Sequence, residues 1–153
     1  MPEGRNKSIS GCFLCFDFGL QRTGVAVGQE LTATAQALTT LQSKQQKPDW
    51  QAIEKLINEW KPDALVIGIP YHLDGRENDM TEAARKFARQ LHGRFHLPVH
   101  EMDERLSSSE AEHEIKRQRA NGSRKKSPKQ DIDMMAAQII LQSWLTQKEH
   151  KQS

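Results

Sequence analysis

Residues 64–70 read Ala-Leu-Val-Ile-Gly-Ile-Pro, an uninterrupted apolar run closed by glycine and proline. A strand with no polar side is buried on both faces, the situation of a parallel strand covered by helices above and below. The run therefore calls for a sheet with helices on both faces, and the remaining chain must supply them. Three short apolar or β-branched segments come first, CFLCFDFG from Cys12, RTGVAVGQ from Arg22 and LTATAQAL from Leu31, separated by turn-forming positions. They read as a three-stranded meander. Ile53, Leu56, Ile57 and Trp60 follow at the i, i+3, i+4, i+7 spacing of one helical face, with Asp49 as N-cap.

After residues 64–70 the stripe Met80, Ala84, Phe87, Ala88 and Leu91 predicts a second helix, which Asp79 caps. The run LPVHEMDERL supplies another strand ending in charge, and Ser107 with Glu110 has the capping-box spacing that opens a helix. A last helix from about Asp131 to Leu145 buries Met135, Ile139, Ile140 and Trp144. The order β-β-β-α-β-α-β-α-α, with hairpins before crossovers, predicts a mixed five-stranded sheet flanked by helices. The 153 residues, 36% hydrophobic and 27% charged, suit one core. We expect a single domain over residues 11–146, with tails at 1–10 and 147–153.

The composition excludes several function classes. No apolar run approaches the roughly 18 residues needed to cross a bilayer. The first ten residues, MPEGRNKSIS, hold an acid and no apolar h-region, so a cytoplasmic location is expected. Cys12 and Cys15 stand three apart in a strand and point to opposite faces, which suits core thiols and opposes a disulfide or a shared zinc. The net charge of +2 is unremarkable, but its distribution is informative. Residues 116–129 read KRQRANGSRKKSPK, seven Lys or Arg and no acid. Such a block meets phosphate without reading sequence, and Arg124, Lys125 and Lys126 are its densest part.

Carboxylates at the ends of core strands need a cation or metal beside them. Asp17 ends the first apolar run, next to Gly19, Arg22 and Gly24, features that favour a phosphate or metal site over a simple turn cap. Asp103 and Glu104 end another strand, at the carboxyl edge where ligands gather in parallel sheets. Adjacent strand residues point oppositely, so one of this pair faces the site. Asp131 and Asp133 open the last helix two residues apart, and there too one faces the site while the other serves as a cap. Arg22 and Arg105 offer guanidinium groups matched to phosphate, or else pair with neighbouring carboxylates. His72, His100 and His113 are scattered and read as ordinary surface or core residues. Ser107 has no His–Asp partner and reads as a cap.

Four segments together resemble one family: Asp17-Phe-Gly19-Leu-Gln-Arg22-Thr-Gly24-Val-Ala26; Gly68-Ile-Pro70 with Asp74-Gly75; Asp103-Glu-Arg-Leu-Ser107-Ser; and Asp133-Met-Met-Ala136-Ala137 with Ile140-Leu-Gln-Ser. In this order, over about residues 12–145, they resemble the YqgF/RuvX family, relatives of Holliday junction resolvases described as pre-16S rRNA maturation nucleases. The resemblance implies an RNase H-like fold, divalent-metal phosphodiesterase chemistry and trimming of the 5′ end of small-subunit rRNA. By position, the family's acids fall on Asp17, on the Asp103-Glu104 pair and on Asp133. The basic insertion after Gly122 and Met134-Met135 depart from the family pattern and leave the acids intact.

Phosphodiester hydrolysis needs an activated water, neutralised phosphate oxygens and a stabilised leaving oxyanion, which two Mg²⁺ or Mn²⁺ ions about 3.5–4 Å apart supply together. Hard ions take oxygen ligands. We assign Asp17, Glu104 and Asp133 as metal ligands and catalytic residues, with Asp103 the substitute for Glu104. Arg22, Arg105, Arg124, Lys125 and Lys126 are assigned to substrate binding. The expected partner is nucleic acid, pre-rRNA within the small-subunit precursor or branched DNA. A junction resolvase cutting two strands would want a two-fold homodimer, whereas an rRNA trimmer can be a monomer, and the sequence leaves monomer and homodimer both open. A binding module without catalysis is the alternative. An actin-like ATPase would need two such domains, and the chain has room for one.

Overall fold

The computed structural model describes residues 11–45, 47–72, 74–106 and 128–152. Five strands form one mixed sheet: β1 (Cys12–Asp17), β2 (Arg22–Gln29), β3 (Thr34–Gln42), β4 (Ala64–Ile69) and β5 (Val99–Asp103), in the spatial order β3-β2-β1-β4-β5. The first three pair antiparallel, and β4 and β5 extend the sheet in parallel with β1. Every residue of β4 is buried, as its apolar run requires.

Helices α1 (Trp50–Trp60) and α2 (Asp79–Phe95) cover one face. Ile53 of α1 and Ala84, Phe87, Ala88 and Leu91 of α2 pack there on Leu14, Phe16, Val25, Leu65, Ile67 and Ile69. Helix α3 (Pro128–Gln152) covers the other face, where Ala137, Ile140, Leu141 and Leu145 meet Phe13, Cys15, Ala26 and Val66. Cys12 packs against the first cluster and Cys15 lies in the second, so the two thiols do face opposite ways.

Asp49 caps α1 through Ala52 N at 3.2 Å, as its position suggests. The cap of α2 is Asn78, one residue before the expected Asp79. Its side chain accepts from Thr81 N at 2.9 Å while Thr81 Oγ1 accepts from Asn78 N at 3.0 Å. The Thr81 hydroxyl also donates to the Pro70 carbonyl, tying the end of β4 to the start of α2.

Three boundaries differ from the sequence reading. Strand β3 begins at Thr34, because Leu31–Ala33 are used in the turn, where Ala33 has φ 53°. Helix α3 begins at Pro128, whose fixed φ suits the first helical position, and not at about Asp131. It continues to Gln152, through most of the expected 147–153 tail. The face that α3 buries is also turned: Met134, Ala137, Ile140, Leu141 and Leu145 are buried, while Met135, Ile139 and Trp144 are half-buried at its margins. Two glutamines fix that phase by bonding the backbone of β3 and its turn. Gln138 Nε2 donates to Ala35 O at 2.9 Å, Gln142 Nε2 to Ala33 O at 2.7 Å, and Ala35 N to Gln142 Oε1 at 3.0 Å. The helix expected from Ser107 and most of the basic segment, including Arg124, Lys125 and Lys126, lie outside the described residues.

Candidate active site

Alternation along the strands decides which acids meet. Phe13 and Cys15 point to the α3 side of β1, so Asp17 does too, at the strand's carboxyl end. Met102 of β5 is on that side, and Glu104, two residues on, opens a 3-10 turn (Glu104–Leu106) beside Gly68. A Cβ on Gly68 would lie 2.9 Å from Glu104 Oε2, so the missing side chain is the space the carboxylate occupies. Gly68 therefore makes room for an acid in addition to ending a strand. Gly24, paired with Asp17 in the β1–β2 ladder, does the same for α3: a Cβ there would stand 2.0 Å from the Asp133 carbonyl oxygen. The first turns of α3 thus pass directly over β2, which brings Asp133 to the cluster.

The electrostatics register this crowding. Burial pushes the Asp17 carboxyl up to about 8, reinforced by the charge of Glu104, a hydrogen bond to it and the charge of Asp133. Burial also raises Glu104, opposed by the hydrogen bond it accepts from Asp17. Burial and mutual repulsion therefore both favour a proton shared by this pair. Cys15, fully buried beneath them, is raised by burial and by the same two acids, so it stays an inert thiol.

Asp133 is turned to Arg22, whose Nε donates to Oδ2 at 2.8 Å. Asp103 faces away from the cluster and takes Arg105: Nη2 donates to Oδ2 at 2.6 Å and the backbone N to Oδ1 at 2.9 Å. These bonds hold Asp103 below its ordinary value. Asp17 and Glu104 thus meet, Asp133 joins them through space while bound to Arg22, and Asp103 belongs to the arginine. Among the described residues no three His, Cys, Asp or Glu side chains are arranged to hold a metal ion as they stand. The donor chemistry nonetheless fits a hard divalent ion. It is all oxygen, and a carboxyl raised by burial and by neighbouring like charges is one whose charged form a cation stabilises.

His72 donates its backbone N–H to Arg76 O in a turn, and the His100 ring lies 5.2 Å from that of Trp144. Ser107 and His113 are outside the described residues. Tyr71, which has no part in the sequence expectations, has its ring under two guanidinium groups, Arg105 at 5.2 Å and Arg85 at 5.5 Å. A lone tyrosine in a loop carries no periodic signal that would have revealed it. A wide opening of about 1160 Å³ lies at the opposite end of the sheet, by Gly11, Phe13 and Pro62, away from the acids.

The profile of RuvX, described as a Holliday junction resolvase, matches residues 11–147. The chain belongs to the RuvX family. A Legionella pneumophila relative named "Putative pre-16S rRNA nuclease" is 49% identical over 139 residues, covering 91% of this chain and 98% of the relative. A Haemophilus ducreyi protein of the same name is 50% identical over 131 residues, covering 86% of this chain and 93% of its own. Among solved structures, T. thermophilus RuvC in complex with a Holliday junction superposes with a TM-score of 0.59 at 14% identity, covering 91% and 96% of the two chains. Fowlpox virus resolvase with its junction DNA gives 0.54 at 13%, covering 90% and 98%. At such identities the likeness is one of fold, and this RuvX-family chain has the expected RNase H-like α/β fold.

Proposed function

We propose that this chain is a divalent-metal-dependent nuclease that hydrolyses phosphodiester bonds in the 5′-end maturation of pre-16S rRNA. The observation that carries the reading is the meeting of Asp17, Glu104 and Asp133, from three separate elements, at the carboxyl edge of the sheet on the face covered by α3. The names of relatives nearly half identical over most of the chain supply the substrate.

Asp17, Glu104 and Asp133 would hold Mg²⁺ or Mn²⁺, most simply as a two-ion site, which when bound would supply activation of the attacking water and neutralisation of phosphate charge. The chain's own residues do the rest. Arg22 shares Asp133 at 2.8 Å and is positioned to exchange that partner for a phosphate oxygen. Arg105, fixed by Asp103 and lying over the Tyr71 ring, offers a second clamp. Arg124, Lys125 and Lys126 bind backbone without sequence readout. Residues 11–146 act as one nuclease domain, in the cytoplasm, on the small-subunit precursor. No helix among the described residues is long and apolar enough to cross a membrane. A second reading, a homodimeric resolvase of branched DNA, has the family description in its favour.

The test is cleavage of a 5′-extended small-subunit rRNA precursor by the purified protein, with a four-way DNA junction in parallel. Metal-dependent trimming of the RNA that EDTA and Asp17→Asn both abolish is the expected result. Junction cleavage without RNA trimming moves the function to the second reading, and metal-independent cleavage overturns both.

A further inference from the structure

On the opposite face of the sheet from the acids, a cleft of about 500 Å³ opens between the β1–β2 turn, the start of α1 and one side of α2. Its floor is aromatic. Phe18 and Trp50 both stack on Phe87, with ring centroids 4.8 and 5.6 Å away and planes within 27°. Its rim is cationic: Lys47, Lys86 and Arg94 line it, and among the described residues no carboxylate does. Asp49, between the lining residues Pro48 and Trp50, is turned to Ala52 N and Lys44, and Glu82, beside Ala83, pairs with Arg89. The Arg94 guanidinium already lies over the Trp50 indole, 4.1 Å from its centroid. Phe18 directly follows Asp17, so the cleft and the acid cluster lie on either side of the same strand end.

An aromatic floor within a positive rim suits one class of occupant. Stacking on flat rings takes any base, and the cations meet the phosphates on either side. The cleft is within the size range of small-molecule sites. A base paired in a duplex has both faces covered by its neighbours and cannot enter. We infer that this cleft holds an unpaired nucleotide of the strand being cut, so that the enzyme acts where the strand beside the scissile phosphate is single-stranded. The inference rests on the nuclease reading above and names the substrate feature that reading leaves unspecified.

Photo-cross-linking in EDTA, where no cleavage occurs, tests it. The probe is a single RNA strand of roughly twelve nucleotides, within the site sizes of single-strand binders, carrying 5-iodouridine, used alone and annealed to its complement. The single strand should cross-link to Phe18 or Trp50 and the duplex should not. The double variant Lys47→Ala/Lys86→Ala changes two exposed side chains and leaves the packed rings in place. It should bind the single strand about tenfold more weakly and lower its salt slope by roughly 1.4, about 0.7 for each lost phosphate contact, while duplex binding hardly changes. Cross-links that avoid both rings, equal cross-linking of the duplex, or a variant altered in self-association with RNA affinity intact would each overturn the proposal. If the wild type cross-links as expected yet cleaves no RNA once Mg²⁺ is added, the cleft assignment stands and the nuclease reading falls.

Discussion

The two faces of the sheet are built from the same strands and differ in side-chain size. Towards α1 and α2 the central strands present Leu14, Phe16, Val25, Val27, Leu65, Ile67 and Ile69, an ordinary core. Towards α3 they present Gly24, Ala26, Gly28, Ala64, Val66 and Gly68 between Phe13, Cys15 and Asp17. Small residues let a helix approach the backbone so closely that added methyls at Gly24, Gly28 and Gly68 would each collide with α3 or with Glu104. One face contributes stability through apolar volume. The other gives some of that up to hold three carboxylates close together.

The largest effect should come from removing one of those charges. Asp17→Asn and Asp133→Asn should each lower turnover by at least about 10³-fold, because metal stabilisation of transition-state charge amounts to several kcal/mol. In EDTA, Asp17→Asn should also stabilise the fold at neutral and alkaline pH. Folded Asp17 titrates at about 8 against 3.8 when unfolded, so the protonated form's stability is fully present below about 4 and is lost as pH rises through 8. Wild type minus variant, by chemical denaturation between pH 5 and 7, should therefore fall by up to about 1.4 kcal/mol per pH unit. A flat difference would mean that Asp17 is not buried among like charges.

Packing on the two faces should separate next. Gly24→Ala places a methyl against the Asp133 carbonyl, backbone that cannot turn aside, so α3 must lift from β2. We expect a loss of about 1–3 kcal/mol and a fall in turnover of about 10²-fold, since displacements near 1 Å cost that much. Leu91→Ala, fully buried under the other face, should cost about 2–5 kcal/mol while the folded fraction keeps its turnover. Equal effects on turnover would erase the contrast between the faces.

Much of this division was legible in the sequence. The unbroken run at Ala64–Ile69 announced a doubly covered strand, and alternation alone made Asp103 and Glu104 exclusive. The rest depended on contacts between residues far apart in sequence. The face that α3 buries is set by Gln138 and Gln142 reaching Ala33 and Ala35 and by two glycines on β2, so its local apolar pattern suggested a neighbouring stripe. Arg22 and Asp133 are separated by 111 residues, and no local pattern joins them. Glu104→Gln against Asp103→Asn sharpens the point that alternation made. The first should lower kcat by about 10²-fold, as loss of a charged ligand would. The second breaks a surface pair worth about 0–1 kcal/mol and should raise KM up to about fivefold through a loosened Arg105, with kcat kept. The reverse order would transfer the ligand role to Asp103.

The smallest effect expected is a gain, and it isolates the reason glycine matters where it does. Gly93 lies in the last turn of α2, with helical φ and, among the described residues, nothing within 4 Å of where a Cβ would stand. Here the missing side chain serves no neighbour, while glycine's extra freedom in the unfolded chain weakens the helix. Gly93→Ala should therefore stabilise the protein by about 0.5–1 kcal/mol, read as a rise in denaturation midpoint with an unchanged slope. Turnover should not move, because Gly93 touches neither the acids nor α3. The same single methyl would then be favourable on α2 and damaging at Gly24, and the sign would be set by the atom it meets: open space in one case, the carbonyl of Asp133 in the other. A destabilised Gly93→Ala would mean that the tightness around Gly24 is a property of the whole fold and is not confined to the face that carries the carboxylates.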